Sequence, residues 1–291
     1  MPAPEQLSTQ ARRPNFAAVL ALIAGVLAAA AIVVLVVQAG LPPVGDLTRS
    51  APARTVLMRA REAEAHAAGR AFHIDQRWVP YAHIAPLLRR AVLIAEDDAF
   101  FSHDGLDWDE IQASARANLK ARRVVRGGST ITQQLAKNLY LGERRSLTRK
   151  LEEALLAMRL ERALDKRRIF ELYLNEIEWG DGIFGIEAAA QRHFGVSAAA
   201  LDPRQAALLA AVIINPRRYS PTHPDRRIER RARMILSRMR RRGVITDDQY
   251  LEANGDRPPV PVPPPTDDGG VPHEAAPEPP VADSVSRPAL P

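Results

Sequence analysis

Between residues 84 and 255, apolar side chains recur every three or four positions, and few stretches alternate as strands do. Ile84, Leu87, Leu88, Ala91, Val92 and Ala95 make one helical stripe. Asp107, three residues before Glu110, has the form of a capping box opening a helix through Leu119. Gly127-Gly128-Ser129 punctuates the chain, and Thr130 with Gln133 can cap a helix running to about Tyr140. Further helices are predicted over 148–164 and 165–175. Asp202-Pro203 opens an apolar helix that must stop at Asn215-Pro216, because the residue before proline avoids the helical region. The stretch 224–242 is rich in arginine, with Ile228, Ala232, Ile235, Leu236 and Met239 on one side. Residues 39–75 are least legible; a helix and a short strand, at 71–74 or 78–79, are expected within 48–79.

The two ends follow other rules. Residues 16–38 carry no charge, and 23 helical residues rising ~1.5 Å each span ~34 Å, enough for a bilayer core of ~30 Å. That run exceeds the roughly 7–15 apolar residues of a cleaved signal peptide, so a retained anchor is predicted. Arg12 and Arg13 precede it closely, whereas Arg49 and Arg54 follow at greater distance, which leans toward an inside N-terminus. Residues 256–291 hold 12 of the 24 prolines and read as a solvated extension without helix or sheet. The expected organisation is therefore a cytoplasmic N-terminus (1–15), a transmembrane helix (16–38), a membrane-proximal linker (39–71), a catalytic domain (72–222), an amphipathic helical segment (223–255) and a Pro-rich tail (256–291). The class is mainly α.

Composition narrows the function. The absence of cysteine excludes a disulfide scaffold and any cysteine-ligated metal. The net charge of +6 comes with only four lysines among 40 basic residues, and with 5% aromatics the chain lacks the stacking residues of a nucleic-acid binder, so no nucleic-acid partner is expected.

Three constellations carry candidate chemistry. Glu96, Asp97 and Asp98 follow the first stripe, at a helix end whose dipole prefers cations. Burial there would raise at least one pKa and make a general base, whereas a solvated acidic turn would do nothing. His103 could ligate a metal or orient this turn; His73 and His83 stand at no ligand-like spacing, which favours a structural histidine. Gln134 and Lys137 share a polar helix face at i, i+3, apart from Ile131, Leu135 and Leu139, and the lysine could hold a phosphate. The preceding GGST lacks the Gly-Lys-Ser/Thr ending of a Walker loop. Lys150 and Glu153 share a third face, below Arg144, Arg145 and Arg149; taken alone they are a surface ion pair.

In order along the chain stand Glu96-Asp97-Asp98-Ala-Phe100-Phe-Ser-His103-Asp-Gly105, then Gly127-Gly-Ser-Thr-Ile-Thr-Gln-Gln134-Leu-Ala-Lys137-Asn138, then Arg149-Lys150-Leu-Glu-Glu153, then Ile169-Phe-Glu-Leu-Tyr173-Leu-Asn175. This succession resembles the peptidoglycan glycosyltransferases, family 51 of the glycosyltransferases, from about Phe72 to Pro221. The resemblance implies a lysozyme-like, two-lobed helical domain acting on lipid II and the growing glycan chain at the outer face of the cytoplasmic membrane. It implies that Glu96 deprotonates the acceptor's GlcNAc 4-hydroxyl, which attacks C1 of the terminal MurNAc with inversion as polyprenyl diphosphate leaves. Glu153 matches the second essential glutamate; Gln134, Lys137, Arg145 and Lys150 match positions that contact diphosphate and sugars. Asp97, His103, Ser129 and Asn175 complete the expected substrate-binding set. No cofactor is required by these residues, although a divalent cation, magnesium or manganese, helps some members, and other cell-wall synthases are expected partners. Apolar residues in 39–75 and near 105–125 are expected to dip into the membrane interface. With no Ser-x-x-Lys and no Lys-Thr-Gly, the chain reads as a polymerase without a transpeptidase. The alternatives are a glycan-cleaving, lysozyme-like enzyme and a non-catalytic membrane-anchored scaffold.

Overall fold

A computed structural model describes residues 16–123, 127–142 and 146–256. The expectations for 1–15, for Arg144 and Arg145, and for the Pro-rich tail beyond Asp256 lie outside those residues. The described chain is mainly α, as its spacing predicts. Among the described residues, the helices in chain order are α1 (Phe16–Gly40), α2 (Val56–Ala67), α3 (Pro86–Glu96), α4 (Trp108–Ala121), α5 (Ile131–Ala136), α6 (Leu147–Ala163), α7 (Lys166–Glu176), α8 (Ile186–Phe194), α9 (Pro203–Val212), α10 (Arg226–Arg241) and α11 (Asp247–Asn254). Three short strands, β1 (Asp75–Gln76), β2 (Glu178–Gly180) and β3 (Ile183–Phe184), form one small sheet in the order β1-β3-β2. β1 runs parallel to β3, and β2 antiparallel.

Helix starts follow local chemistry. Thr130 accepts a hydrogen bond from Gln133 N while the Gln133 side chain accepts one from Thr130 N, the capping box its sequence announces. The same device opens α9 at Asp202, with Pro203 at the first helical position. Asp107 does cap α4, through Glu110 N at 2.8 Å, but the Glu110 carboxylate accepts from Ser114 Oγ at 3.0 Å rather than closing a box. Past Ala136 the helix widens into a π-turn over Lys137–Leu141 and ends at Gly142, whose φ is +70°. The strand expected at 71–74 or 78–79 forms between those positions, at Asp75–Gln76, because its partner β3 lies far along the chain.

Beside a small second cluster of Leu57, Met58 and Phe184, one large core holds most of the domain. Fully buried Trp179, Tyr173, Phe100 and Phe170 stand at its centre, with Phe100 and Phe170 centroids 5.6 Å apart. α9 packs on both α3 and α10, and α5 on α6 and α7. The amphipathic segment from residue 223 packs its apolar side into this core: Ile228, Ala232, Ile235, Leu236 and Met239 of α10 are buried within it. α1 differs in kind. None of its residues is buried, and at ~1.5 Å per residue its 25 residues make a rod of about 37 Å, apolar and long enough to cross a membrane. Arg159 of α6 closes its lower end, donating to the carbonyls of Gln38, Leu41 and Pro42 at 2.8, 3.0 and 3.1 Å, groups that a helix C-terminus leaves without partners.

Candidate active site

The Glu96–Asp98 turn is not a solvated acidic turn, because each carboxylate goes to a different partner. Glu96, the last residue of α3, accepts from Arg231 Nη2 at 2.7 Å and from Gln134 Nε2 at 3.0 Å. Asp97 is buried and takes the N–H of Ile131 at 2.9 Å, which ties the end of α3 to the start of α5. His103 Nε2 lies 3.1 Å from both Asp97 oxygens. Asp98 turns outward and pairs with the Arg242 guanidinium through two close contacts.

These partners split the titrations. Burial pushes Glu96 above its ordinary value of 4.5, with Arg231, Gln134 and Lys137 pulling it back only in part. Hydrogen bonding by Arg242 holds Asp98 below its ordinary value. Two neighbouring carboxylates therefore differ in the sense that separates a base from a structural anion.

Gln134 has a fixed orientation. The hydroxyl of fully buried Tyr173 donates to its Oε1 at 3.0 Å, so the amide must present Nε2 to Glu96. Burial raises Tyr173 well above the usual phenol range, keeping it a donor. The resulting relay runs Tyr173 to Gln134 to Glu96, with Arg231 closing the other side.

Glu96 opens into a cleft of about 780 Å³ that Asp97, Asp98, Gly128, Ser129 and Arg238 also line. Gln134 and Lys137 line an adjoining cavity of about 520 Å³, together with Arg61, Asn138 and Tyr173. Lys150 joins the first cleft through its hydrogen bond to Ser129 Oγ at 3.0 Å. Behind it, Glu153 is only 3% exposed and is clasped by Arg149 at 2.7 Å and by Lys150. The surface ion pair that spacing alone suggests is thus a buried carboxylate between two cations.

The cleft depends on close approach between elements. Thr130 Oγ1 donates to Gly105 O at 2.7 Å, and Thr132 Oγ1 donates to Glu161 of α6 at 2.5 Å. Gly105 has φ +89°, and a Cβ there would sit 3.3 Å from the Ala157 backbone of α6. Glycine is needed both for the dihedral and for the contact.

One expected substrate contact is corrected. Asn175 is fully buried at the end of α7; its side chain accepts from Val79 N at 2.9 Å and donates to the carbonyls of Val79 and Glu171. It joins the segment after β1 to α7 and, among the described residues, lines neither cavity of the site. Arg145, the remaining expected cation, lies outside the described residues. Conversely, Arg231, Arg238 and Arg242 line the cleft from α10 and its cap, and spacing singled out none of them. A signal existed: 231, 234, 238 and 242 recur at three- and four-residue steps beside the apolar stripe of α10.

A metal finds little here. Asp97, His103 and Asp107 bring ligand atoms within 4.8 Å of one another. Yet Asp97 already serves His103 and Ile131 N, and Asp107 Oδ1 caps α4, so two committed carboxylates and one nitrogen do not suit an oxygen-seeking magnesium ion.

Residues 64–240 match the family model described as Transglycosylase. Relatives named biosynthetic peptidoglycan transglycosylase include one from Laribacter hongkongensis, 48% identical over 65% of this chain and 82% of that protein. One from Nitrosomonas eutropha is 46% identical over 65% and 77%, and one from Methylobacillus flagellatus 52% identical over 57% and 73%. Among solved structures, penicillin-binding protein 1A from Haemophilus influenzae is similar over 63% of this chain and 18% of its own, at 21% identity and a TM-score of 0.37.

Proposed function

The chain belongs to the transglycosylase family, and on that premise we propose that it polymerises lipid II into linear glycan strands by inverting β-1,4 transfer. The observation that carries the reading is Glu96, a carboxylate raised by burial, fixed between Gln134 and Arg231, and open to a cleft with Arg238 on its wall and Lys150 at its Ser129 edge.

In this mechanism Glu96 takes the proton of the acceptor's 4-hydroxyl. The freed oxygen attacks C1 of the chain's terminal MurNAc, a new C–O bond forms, and the bond from C1 to the lipid diphosphate breaks with its electron pair on the diphosphate. Charge growing on that group calls for fixed cations. Lys137 in the adjoining cavity and Lys150 at Ser129 are placed to supply them, and Arg145 is assigned the same task by its motif. Glu153 acts through Lys150 rather than on the sugar, since its carboxylate is buried against Arg149 and Lys150.

The site's location follows from the substrate. We assign α1 as a membrane anchor with residues 41–256 on the outer face, where a lipid-linked sugar would meet the cleft. Trp108 and Leu119 on α4 and Leu147 on α6, exposed by 65%, 82% and 91%, supply apolar contacts suited to a bilayer interface.

A glycan-cleaving enzyme would also need a carboxylate pair, but hydrolysis of a neutral glycosidic bond has no use for this set of cations. Incubation of the detergent-solubilised protein with labelled lipid II tests the choice. Long glycan strands are the expected product; digestion of preformed glycan without polymerisation would overturn the reading.

A further inference from the structure

A separate cavity of about 380 Å³ lies where the chain leaving α1 passes the end of α7 and the start of the sheet. It shares no lining residue with either cavity of the candidate active site. Its back wall is Glu176, the last residue of α7, which is fully buried. Gln76 Nε2 donates to Glu176 Oε2 at 3.1 Å, but Oε1 has no partner. A buried carboxyl oxygen without a donor costs stability, and a helix C-terminus disfavours its negative charge further. Glu176 lines a cavity large enough for a ligand, and its carboxyl fixes the Gln76 amide at that wall.

The other walls narrow the ligand's chemistry. Trp78 stands at the rim, 39% exposed, with the Arg168 guanidinium 5.3 Å from its ring centroid. That guanidinium is anchored, its Nε donating to Leu47 O at 2.8 Å and its Nη1 to Glu171 at 2.6 Å. Arg49 and Ser50 close the open side. An aromatic plate, an amide, a carboxyl acceptor and a hydroxyl together fit a ring that carries hydroxyl donors and apolar C–H faces. A free anion would be opposed by Glu176, and a cation by Arg49 and Arg168.

We propose that this cavity, lined by Trp78, Gln76, Glu176 and Arg49, binds an amino-sugar ring of the glycan outside the catalytic cleft. The choice of glycan rests on the polymerase reading above. A ring hydroxyl donates to Gln76 Oε1, the ring's C–H face lies against Trp78, and Arg49 meets the lactyl or peptide carboxylate of a MurNAc unit. Such a subsite would hold the strand to the enzyme away from the reacting end.

The test is hydrogen exchange on the full chain in detergent micelles, with and without a GlcNAc–MurNAc tetrasaccharide that carries no diphosphate. Protection is expected over 45–52 and 75–78. Trp78→Ala and Glu176→Leu should each weaken it about tenfold. Glu176→Leu removes the carboxyl that orients the Gln76 amide, and a thermal melt of each variant tests that the fold survives the change of side chain. Protection confined to 94–99 and 127–130, or equal protection in wild type and both variants, would overturn the proposal. Protection of 45–52 by glycerophosphoethanolamine but not by the tetrasaccharide would overturn it in favour of a lipid head group. A wild type that fails to polymerise lipid II removes the functional reading, whereas the exchange result judges the cavity independently.

Discussion

Glu96 shows how much chemistry one residue draws from its neighbours. Glu96→Gln keeps the shape of the side chain but cannot take a proton and exchanges one of its two acceptor oxygens for a donor, so strand formation from labelled lipid II should fall to background while a thermal melt still reports a folded protein. Because burial raises Glu96 above 4.5, kcat/KM should rise with pH through an acidic limb whose midpoint lies above that value. Arg231 favours the charged carboxylate, so Arg231→Met should move this limb to higher pH, and Arg231→Lys should move it less. An unmoved limb in the methionine variant would separate Arg231 from the base. Tyr173→Phe frees the Gln134 amide to rotate; turnover should drop while substrate affinity changes little, a split visible in kcat against KM.

At the scale of elements, the site is made by helix ends meeting. Asp97 binds the first turn of α5, Thr130 binds Gly105, and Gln134 reaches back to Glu96, so the first two motifs close on each other before any substrate is present. Thr130→Val removes both a helix cap and the Gly105 contact, and denaturant unfolding should record a loss of about 1–2 kcal/mol. At the end of α7, burial raises Glu176 from 4.5 to about 7. The native state then holds a proton that the unfolded chain releases, so this residue costs nothing below about pH 4.5 and lowers stability increasingly as pH rises toward about 7. Glu176→Gln should flatten the fall in melting temperature across that window; an unchanged slope would place the titration elsewhere.

For the whole molecule, the governing fact is that an exposed apolar rod continues into a helical domain with further apolar side chains on its surface. A version beginning at Leu41 should still bind anionic vesicles, and the triple change Trp108→Ser, Leu119→Ser, Leu147→Ser should weaken that binding about tenfold or more in a sedimentation assay. Retained binding would mean that another face meets the bilayer.

Local information sufficed for much of this protein. Helix stripes with threonine and aspartate caps, and an uncharged run long enough to span a bilayer, are short-range properties, and α3, α5, α6, α7, α9 and α10 arise where the spacing places them. The acidic turn at 96–98 and the Lys150–Glu153 face were visible for the same reason, as was the order of motifs. Only the tertiary structure decided which of three adjacent carboxylates is raised, because Arg231, Gln134 and Arg242 come from distant segments. It also withdrew Asn175 from the cleft, placed β1 against β3, and brought a row of arginines on α10 to the base. Burial and charge pairing belong to the packed interior, where residues more than a hundred positions apart share one dielectric environment, and no window along the chain contains both partners.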